Sequence, residues 1–277
     1  MRIRISHETT FSFATPARSA IFNLRMTPRS FDSQYVLRWR VGVDLDCALR
    51  HCEDSLGNIV HSFSYHRPME RFTVSAFGEA ETSDSIGVVR GAVETLPADV
   101  FLRESPQAVA NTKLREFLGD ELAPAVDPLD RLHRLMRALH HEVAFDPEAT
   151  EPDNGAAEAF ALKRGSAIDL AHLFVASARS LDVPARVVSG FVAPDDPATP
   201  AKFEVWAEAL APGLGWIAFD CVRNLCANDR YVRVAIGIDA ASAQPIRASH
   251  SGQGTETIVT SLRVQSPMTQ EQSQRQS

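Results

Sequence analysis

The stretch GSAIDLAHLFVASARSLDVPARVVSGF, residues 165–191, decides the fold of this chain. It predicts a helix that begins just after Gly165 and a strand that follows Pro184. The helical spacing would turn four residues towards a core: Leu170, Leu173, Phe174 and Ala178. Strand-like runs occupy residues 185–192, 203–210, 215–219 and 231–236. The second half of the chain is therefore expected to contain a buried helix followed by a series of strands.

The segment before this stretch has a helical pattern. We predict helices over residues 106–118, 128–143 and 156–163. The second of these carries an apolar stripe, and Asp127 followed by Pro128 suits the cap and the first position of a helix.

The first hundred residues have a β pattern instead. Polar and apolar residues alternate at Arg2–Ile5, and a further strand around Phe72 should end before Ser83. Residues 54–58 contain Gly57–Asn58 and indicate a turn between short strands. A strand over 37–43 would place Leu37, Trp39, Val41 and Val43 on one face. Later in the chain we expect a loop at 193–201, a closing strand at 256–265 and a disordered Gln- and Ser-rich tail.

The motif series of the second half resembles the catalytic core of the transglutaminase-like family, relatives of papain-type cysteine proteases. The shared residues are Gly165, Asp169, Ala171, His172, Trp206, Glu208, Gly215, Trp216, Phe219 and Asp220. The HETTFSF and LRMTPRS segments near the N-terminus are similar to the N-terminal module of the bacterial members. The resemblance implies an α+β fold: an N-terminal antiparallel β-domain at 1–95, a papain-like core of helices packed on an antiparallel sheet at 96–265, and a tail at 266–277.

Three sites depart from the pattern of that family: the Cys position, the His position and the Pro-Thr pair. Its members usually read Gly-x-Cys-x-Asp-x-Ala-His, then His-Ala-Trp-x-Glu, then Phe-Asp-Pro-Thr. This chain has Ala167 at the Cys position and Glu204 at the His position, and it keeps Asp220. Thiol catalysis needs a thiolate and a base that keeps it ionised, so the usual chemistry is not expected. Cys221–Val222 in place of Pro-Thr is a further departure, which favours natural divergence over an engineered Cys→Ala change.

The retained motif residues have simpler interpretations than catalysis. Asp169 and His172 can pair on one helix face, and the resemblance implies that they support the helix. Trp206 and Trp216 are expected to be core aromatics beside the groove, with Glu208 as a supporting residue. Glu204 should face Asp220. Of two neighbouring carboxylates, one should then have a raised pKa or recruit a cation such as Lys202 or Arg164.

Other nucleophiles remain as alternatives. They are Cys221 with His172 as its base, Ser166 beside the vacant position, and a water activated by Glu204 and Asp220. Strand alternation places Cys221 on the face opposite Asp220, which disfavours the first. The four cysteines, at 47, 52, 221 and 226, could be interpreted as a zinc site, but we expect core thiols, no metal and no cofactor. His133, His140 and His141 are expected at the surface or edge of their helix.

Composition limits the class of partner. The 277 residues are 44% hydrophobic and carry a formal charge of −7, which argues against nucleic acid or an anionic membrane as the main partner. No apolar run is long enough to span a membrane or to form a secretory signal, and cysteines are few, so we expect a cytoplasmic protein.

The leading hypothesis is an inactive family member that serves as a peptide- or protein-binding or regulatory subunit. The resemblance implies ATP-grasp-type ligases or small helical proteins as partners. An active amidase, peptidase or transglutaminase with a rearranged site is the main alternative, and a purely structural role is another.

Overall fold

The computed structural model describes residues 1–122, 127–149, 155–196, 199–252 and 254–266. The strands in these ranges are β1 (Arg2–Ala17), β2 (Ser19–Thr27), β3 (Gln34–Val43), β4 (Arg50–Glu53), β5 (Ile59–Tyr65), β6 (Met69–Thr82), β7 (Val88–Val89), β8 (Ala144–Phe145), β9 (Arg164–Gly165), β10 (Ala185–Val192), β11 (Phe203–Ala211), β12 (Gly215–Asp220), β13 (Leu225–Cys226), β14 (Tyr231–Gly237), β15 (Ile246–Ser251) and β16 (Glu256–Gln265). The helices are α1 (Thr112–Leu122), α2 (Pro128–Glu142), α3 (Ala156–Leu162) and α4 (Ala167–Ser180). The architecture is α+β, as predicted.

Two antiparallel sheets form the N-terminal part. One has the strand order β16-β1-β6-β3 and the other the order β15-β2-β5-β4. Alternation along β1, β2 and β6 turns apolar side chains inwards, where stacked and edge-on aromatic rings fill the space between the sheets. The rings belong to Phe11, Phe22, Phe63 and Phe72.

The core is a mixed layer of helices on a third antiparallel sheet, with the order β13-β12-β11-β10-β14 and β7 added beside β12. Helix α4 is the centre of this layer, because its residues from Asp169 to Arg179 are buried. Strand β10 is also buried along its whole length, since helices cover one face and other residues of the core and the N-terminal sheets cover the other. One face of the sheet therefore packs against α4, and the opposite face packs in separate side-chain clusters.

The N-terminal sheets and the core meet through apolar and polar contacts. Ile3, Ile5 and Val264 pack against Phe191 and Val232 in one hydrophobic cluster. Two side-chain amides also extend the edge of β14. Gln34 donates to the Arg233 carbonyl and accepts from its N–H, and Asn58 does the same with Ile236. These amides satisfy backbone groups that an edge strand would otherwise leave unpaired.

Most predicted elements are present, and the differences have local causes. The first helix begins at Thr112 and not at 106, because the Asn111 side chain accepts from the Leu114 N–H and caps it there. Leu37 does not share the face of Trp39, Val41 and Val43, since a bulge between Val36 and Arg38 turns it to solvent. Helix α2 begins as expected: Asp127 caps it through the Asp130 N–H, and Pro128 follows.

The two last strands pair away from the core sheet. β16 is hydrogen-bonded to β1 and β15 to β2, so residues 246–265, assigned to the core segment by sequence, complete the N-terminal sheets. Only Ser266 of the tail is described; the predicted disorder at 267–277 lies outside the described residues, as do residues 197 and 198 of the predicted loop. In the part of the chain that the structure covers, no helix has the length and apolarity needed to cross a membrane.

Candidate functional site

The N-terminus of α4 is closed by its own residues. Ser166 is the cap residue: its hydroxyl donates to the Asp169 carboxylate at 2.8 Å and accepts from the Asp169 N–H, while the Ser166 N–H donates back to the same carboxylate. In this reciprocal capping box the Ser166 hydroxyl and the Asp169 carboxylate are both engaged in hydrogen bonds. Ala167 follows as the first helical residue and presents only a methyl group. The first turn of α4 therefore contains no free nucleophile.

Asp169 and His172 do not pair, contrary to the expectation from their spacing. Asp169 is held by the cap, and His172 accepts from the Ala240 N–H through Nε2 at 2.9 Å. Burial lowers the pKa of His172 to about 4, so the ring is neutral near pH 7. Its accepting nitrogen is already occupied by a backbone donor, which removes it as a base for Cys221.

Glu204 and Asp220 are brought together by Arg223. The guanidinium donates from Nη1 to Asp220 Oδ2 at 2.8 Å and from Nη2 to Glu204 Oε1 at 2.9 Å. Asp220 is buried and accepts three further hydrogen bonds, from the Val222 N–H, the Arg223 N–H and the Tyr231 hydroxyl. The two carboxylates thus share one cation, which is one of the two outcomes expected from the sequence, but the cation is Arg223 and neither Lys202 nor Arg164.

The ionisation states of this cluster are fixed by its contacts. Burial opposes the charge on Arg223, but Asp220 and Glu204 more than compensate and raise its pKa above the usual value. Burial and the Asp220 charge raise the pKa of Tyr231 well above the ordinary range, so it stays a neutral donor. A guanidinium clamped between two carboxylates cannot take a proton from a thiol or from water near neutral pH.

Sequence reasoning missed Arg223 and Tyr231. Lys202 is exposed, and Arg164 pairs with Asp146 and not with Glu204 or Asp220. The available signal was the Asp-x-x-Arg spacing of 220–223. It falls in the turn after β12, where the carboxylate also accepts from backbone N–H groups.

Glu208 belongs to a second, separate ionic cluster. Its carboxylate is 0% exposed and accepts from Arg186 Nε and Arg233 Nε, each at 2.7 Å. Arg186 is equally buried and also binds Glu94 through both terminal nitrogens. Burial opposes the charge on Glu208, but Arg233 and Arg186 lower its pKa to about 2. Glu208 is therefore a permanently charged brace between β10, β11 and β14.

Trp206 and Trp216 are both core residues. Trp206 meets the Tyr231 ring edge-on at 5.3 Å, so it packs directly beside the hydroxyl that binds Asp220. Trp216 lies beneath the Arg186 guanidinium, whose Cζ is 3.8 Å from the ring centroid, and touches Phe101 edge-on. The aromatic residues hold the two ionic clusters in place.

The cysteines of the core are poor nucleophiles. Cys221 is buried in the hydrophobic cluster beneath α4, on the face opposite Asp220 as the alternation predicted, and burial raises its pKa well above 9. Burial raises the pKa of Cys226 to about 11, and its sulfur lies 4.0 Å from His133 Nδ1. Cys47 packs against the separate cluster of the N-terminal sheets, so the two cysteine pairs do not converge on one point.

The histidines of α2 lie at the helix edge. His133 is half-buried against Phe219, and His140 binds the Cys221 carbonyl through Nδ1, while His141 is exposed. The absence of bound zinc stays a prediction that elemental analysis of the purified protein can test.

Comparisons with known proteins agree with the fold. Residues 3–81 match the bacterial transglutaminase-like N-terminal region, and residues 116–221 match the transglutaminase-like superfamily core. An uncharacterized protein of Mycobacterium leprae is 25% identical over 93% of this chain and 96% of its own, and one of Mycobacterium tuberculosis is 24% identical over 89% and 86%. A proposed cysteine protease from Cytophaga hutchinsonii superposes with a TM-score of 0.76 over 96% of this chain and 91% of its own, at 21% identity.

Proposed function

Because the chain belongs to the transglutaminase-like superfamily, we propose that it is a member without acyl-transfer activity that serves as a peptide- or protein-binding subunit. The observation that carries this proposal is the clamp of Arg223 between Glu204 and Asp220, in the place where a base and its orienting partner would have to act. Ala167 supplies no sulfur, and the Ser166 hydroxyl is held by its cap. The thiol route lacks its sulfur, the Ser166 hydroxyl is engaged in the cap, and both carboxylates of the water route are paired with Arg223.

The binding role is supported by apolar side chains around the vacant position. Phe145, Leu162 and Ile168 are all exposed. Phe145 is paired with Gly165 across β8 and β9, while Leu162 and Ile168 are each within five residues of Ala167 in the chain. These three exposed apolar side chains are candidates for a surface that a partner covers. The proposed setting is the cytoplasm, which the four free thiols support.

The loss of chemistry is tested by turnover assays on the purified chain. Hydrolysis of peptide amides and transfer between a glutamine donor and a primary amine should both stay at the level of buffer, for the wild type and for Glu204→Gln alike. Turnover that Glu204→Gln abolishes would instead establish carboxylate chemistry with a water nucleophile. Turnover lost in Cys221→Ala would establish a relocated thiol.

The binding role is tested separately by affinity capture from a native lysate of the host. The wild type and an Ile86→Ser control should retain the same protein, because Ile86 is exposed and lies in the segment before β7, whereas Phe145 and Ile168 belong to β8 and α4. A Phe145→Ser/Ile168→Ser double variant should lose it. If the wild type retains nothing beyond what the double variant retains, this surface has no binding role and the purely structural alternative is favoured.

A further inference from the structure

The outward face of the sheet β16-β1-β6-β3 carries a concentration of arginines in a chain whose net charge is negative. Two neighbouring cross-strand rows define it. Gln265, Arg4, Glu79 and Arg38 form the first row, and Arg263, Ser6, Phe77 and Arg40 form the second. Arg2 and Glu81 continue the face beyond the first row. We name these two rows, together with Arg2 and Glu81, the arginine face.

Positive charge is in excess on the arginine face. Glu79 is 2% exposed and accepts from three arginines: Arg2, Arg4, and Arg38 at 2.7 Å. Those hydrogen bonds, from Arg2 first and then Arg38, lower the pKa of Glu79 to about 2, so its charge is permanent near neutral pH. One carboxylate cannot neutralise three guanidinium groups, and the surplus remains next to the second row.

Arg40 and Arg263 have no carboxylate partner. Both side chains are exposed, and no ion pair involves either within the residues that the structure describes. They stand at the two ends of the second row, with Phe77 between them at 41% exposure. An exposed aromatic ring flanked by two unpaired guanidiniums combines apolar and anion-binding character.

The face is also concave. An open cleft of about 500 Å³ is lined by both rows, including Arg4, Arg38, Arg40, Phe77 and Arg263. Four adjacent strands separate Arg263 from Arg40 by three inter-strand spacings, which is about 14 Å. In an extended peptide, residues i and i+4 are about 13 Å apart, and residue i+2 points to the same side between them.

We propose that this cleft binds an extended acidic peptide segment of a partner protein, with carboxylates at positions i and i+4 and an apolar side chain at i+2. The carboxylates would pair with Arg263 and Arg40, and the apolar side chain would cover Phe77. Planar guanidiniums suit carboxylates because they can donate two parallel hydrogen bonds. A polyanion such as nucleic acid fits less well, because Glu79 and Glu81 lie within the face and the chain as a whole is acidic.

The arginine face lies on a different sheet from the clamp of Arg223 and from the surface around Ala167. Failure of the peptide to bind there would leave the proposed inactive site unchanged. Peptide binding at the arginine face and loss of catalysis are also tested with different variants, because Arg40 and Arg263 lie on β3 and β16, outside the helical layer.

The test is fluorescence anisotropy with a labelled peptide of sequence Gly-Glu-Ala-Leu-Ala-Glu-Gly and the full chain at low salt. A Gln-substituted peptide removes the two charges. The Arg40→Gln/Arg263→Gln double variant removes their partners without touching buried residues. Arg71→Gln is the matched control: Arg71 is on the same strand as Phe77 and on the same face, six residues and therefore about 20 Å away.

The wild type and Arg71→Gln should bind the acidic peptide with equal affinity. The double variant, and the Gln peptide on the wild type, should each bind at least about tenfold more weakly, because two charge-assisted contacts are lost. Equal binding of the Glu and Gln peptides, or of the wild type and the double variant, would overturn the proposal. So would a thymidine oligonucleotide that displaces the peptide at lower concentration than unlabelled peptide does, since the face would then be a general polyanion surface.

Discussion

Replacement of Arg223 by methionine removes the clamp at the candidate site while keeping the aliphatic length of the side chain. Two contacts disappear: the 2.8 Å pair with Asp220 and the 2.9 Å pair with Glu204. The carboxylates then face each other with no cation between them. Asp220 is buried and keeps its hydrogen bonds from Tyr231 and the backbone, whereas Glu204 is half-buried and can be hydrated.

The expected magnitude follows from the burial of each pair. Loss of one partner from a fully buried ion pair costs about 3–5 kcal/mol, and an exposed pair contributes about 0–1 kcal/mol. Asp220 retains three donors, and Arg223 itself is 31% exposed, so the Asp220 pair falls below the buried range. We expect Arg223→Met to lower the free energy of unfolding by about 2–3 kcal/mol in total.

Urea denaturation at pH 7 measures this change, with the slope of the transition expected to be the same for both proteins. Arg115→Met is the control, because its pair with Glu104 is exposed on both sides and should contribute less than about 1 kcal/mol. A loss for Arg223→Met no larger than that of the control would refute the clamp.

Three further substitutions test other parts of the structure. Glu208→Gln should lower the free energy of unfolding by about 3–5 kcal/mol, because it leaves the buried Arg186 guanidinium and the largely buried Arg233 guanidinium beside a neutral amide. Glu94→Gln should cost well under half of that, because Glu94 is partly exposed, and urea denaturation compares the two variants. The Glu79 carboxylate stabilises the fold at pH values above its unfolded pKa of about 4.5, and this stabilisation is lost as the pH falls towards 2. In Glu79→Gln the melting temperature should therefore depend less on pH over that range than in the wild type. Ser166→Ala should cost about 1 kcal/mol by thermal melting, through loss of the α4 cap, and an unchanged melting temperature would contradict the capping box.

The helices and central strands were predictable because their signals are local. Asp127 followed by Pro128 marks the start of α2, and the apolar spacing after Gly165 marks α4. The predictions are wrong where a local contact overrides the pattern. The Asn111 cap moves the start of α1, and a β-bulge turns Leu37 outwards. Periodicity carries no information about such side-chain contacts.

The candidate site was predictable in its members but not in its contacts. The vacancy at Ala167 and the meeting of Glu204 with Asp220 follow from the motif positions. The identity of the cation does not, because Arg223 reaches both carboxylates from a turn whose geometry the sequence leaves open. The arginine face was missed for a related reason. Arg4, Arg40 and Arg263 are far apart in the chain, and they become neighbours only because β16 pairs with β1, β1 with β6 and β6 with β3.

Cysteine reactivity measured by mass spectrometry tests the central claim, which is that this fold has neither a thiol active site at the usual position nor one relocated to another cysteine. The folded protein is treated with a small electrophile at pH 7, and the labelling rate of each thiol is compared with that of a free cysteine. We predict that exposed Cys52 reacts at an ordinary rate and that Cys221 and Cys226 react more slowly, because burial raises the pKa of both thiols. Labelling of Cys221 or Cys226 much faster than free cysteine would contradict the account and identify an activated nucleophile in the core.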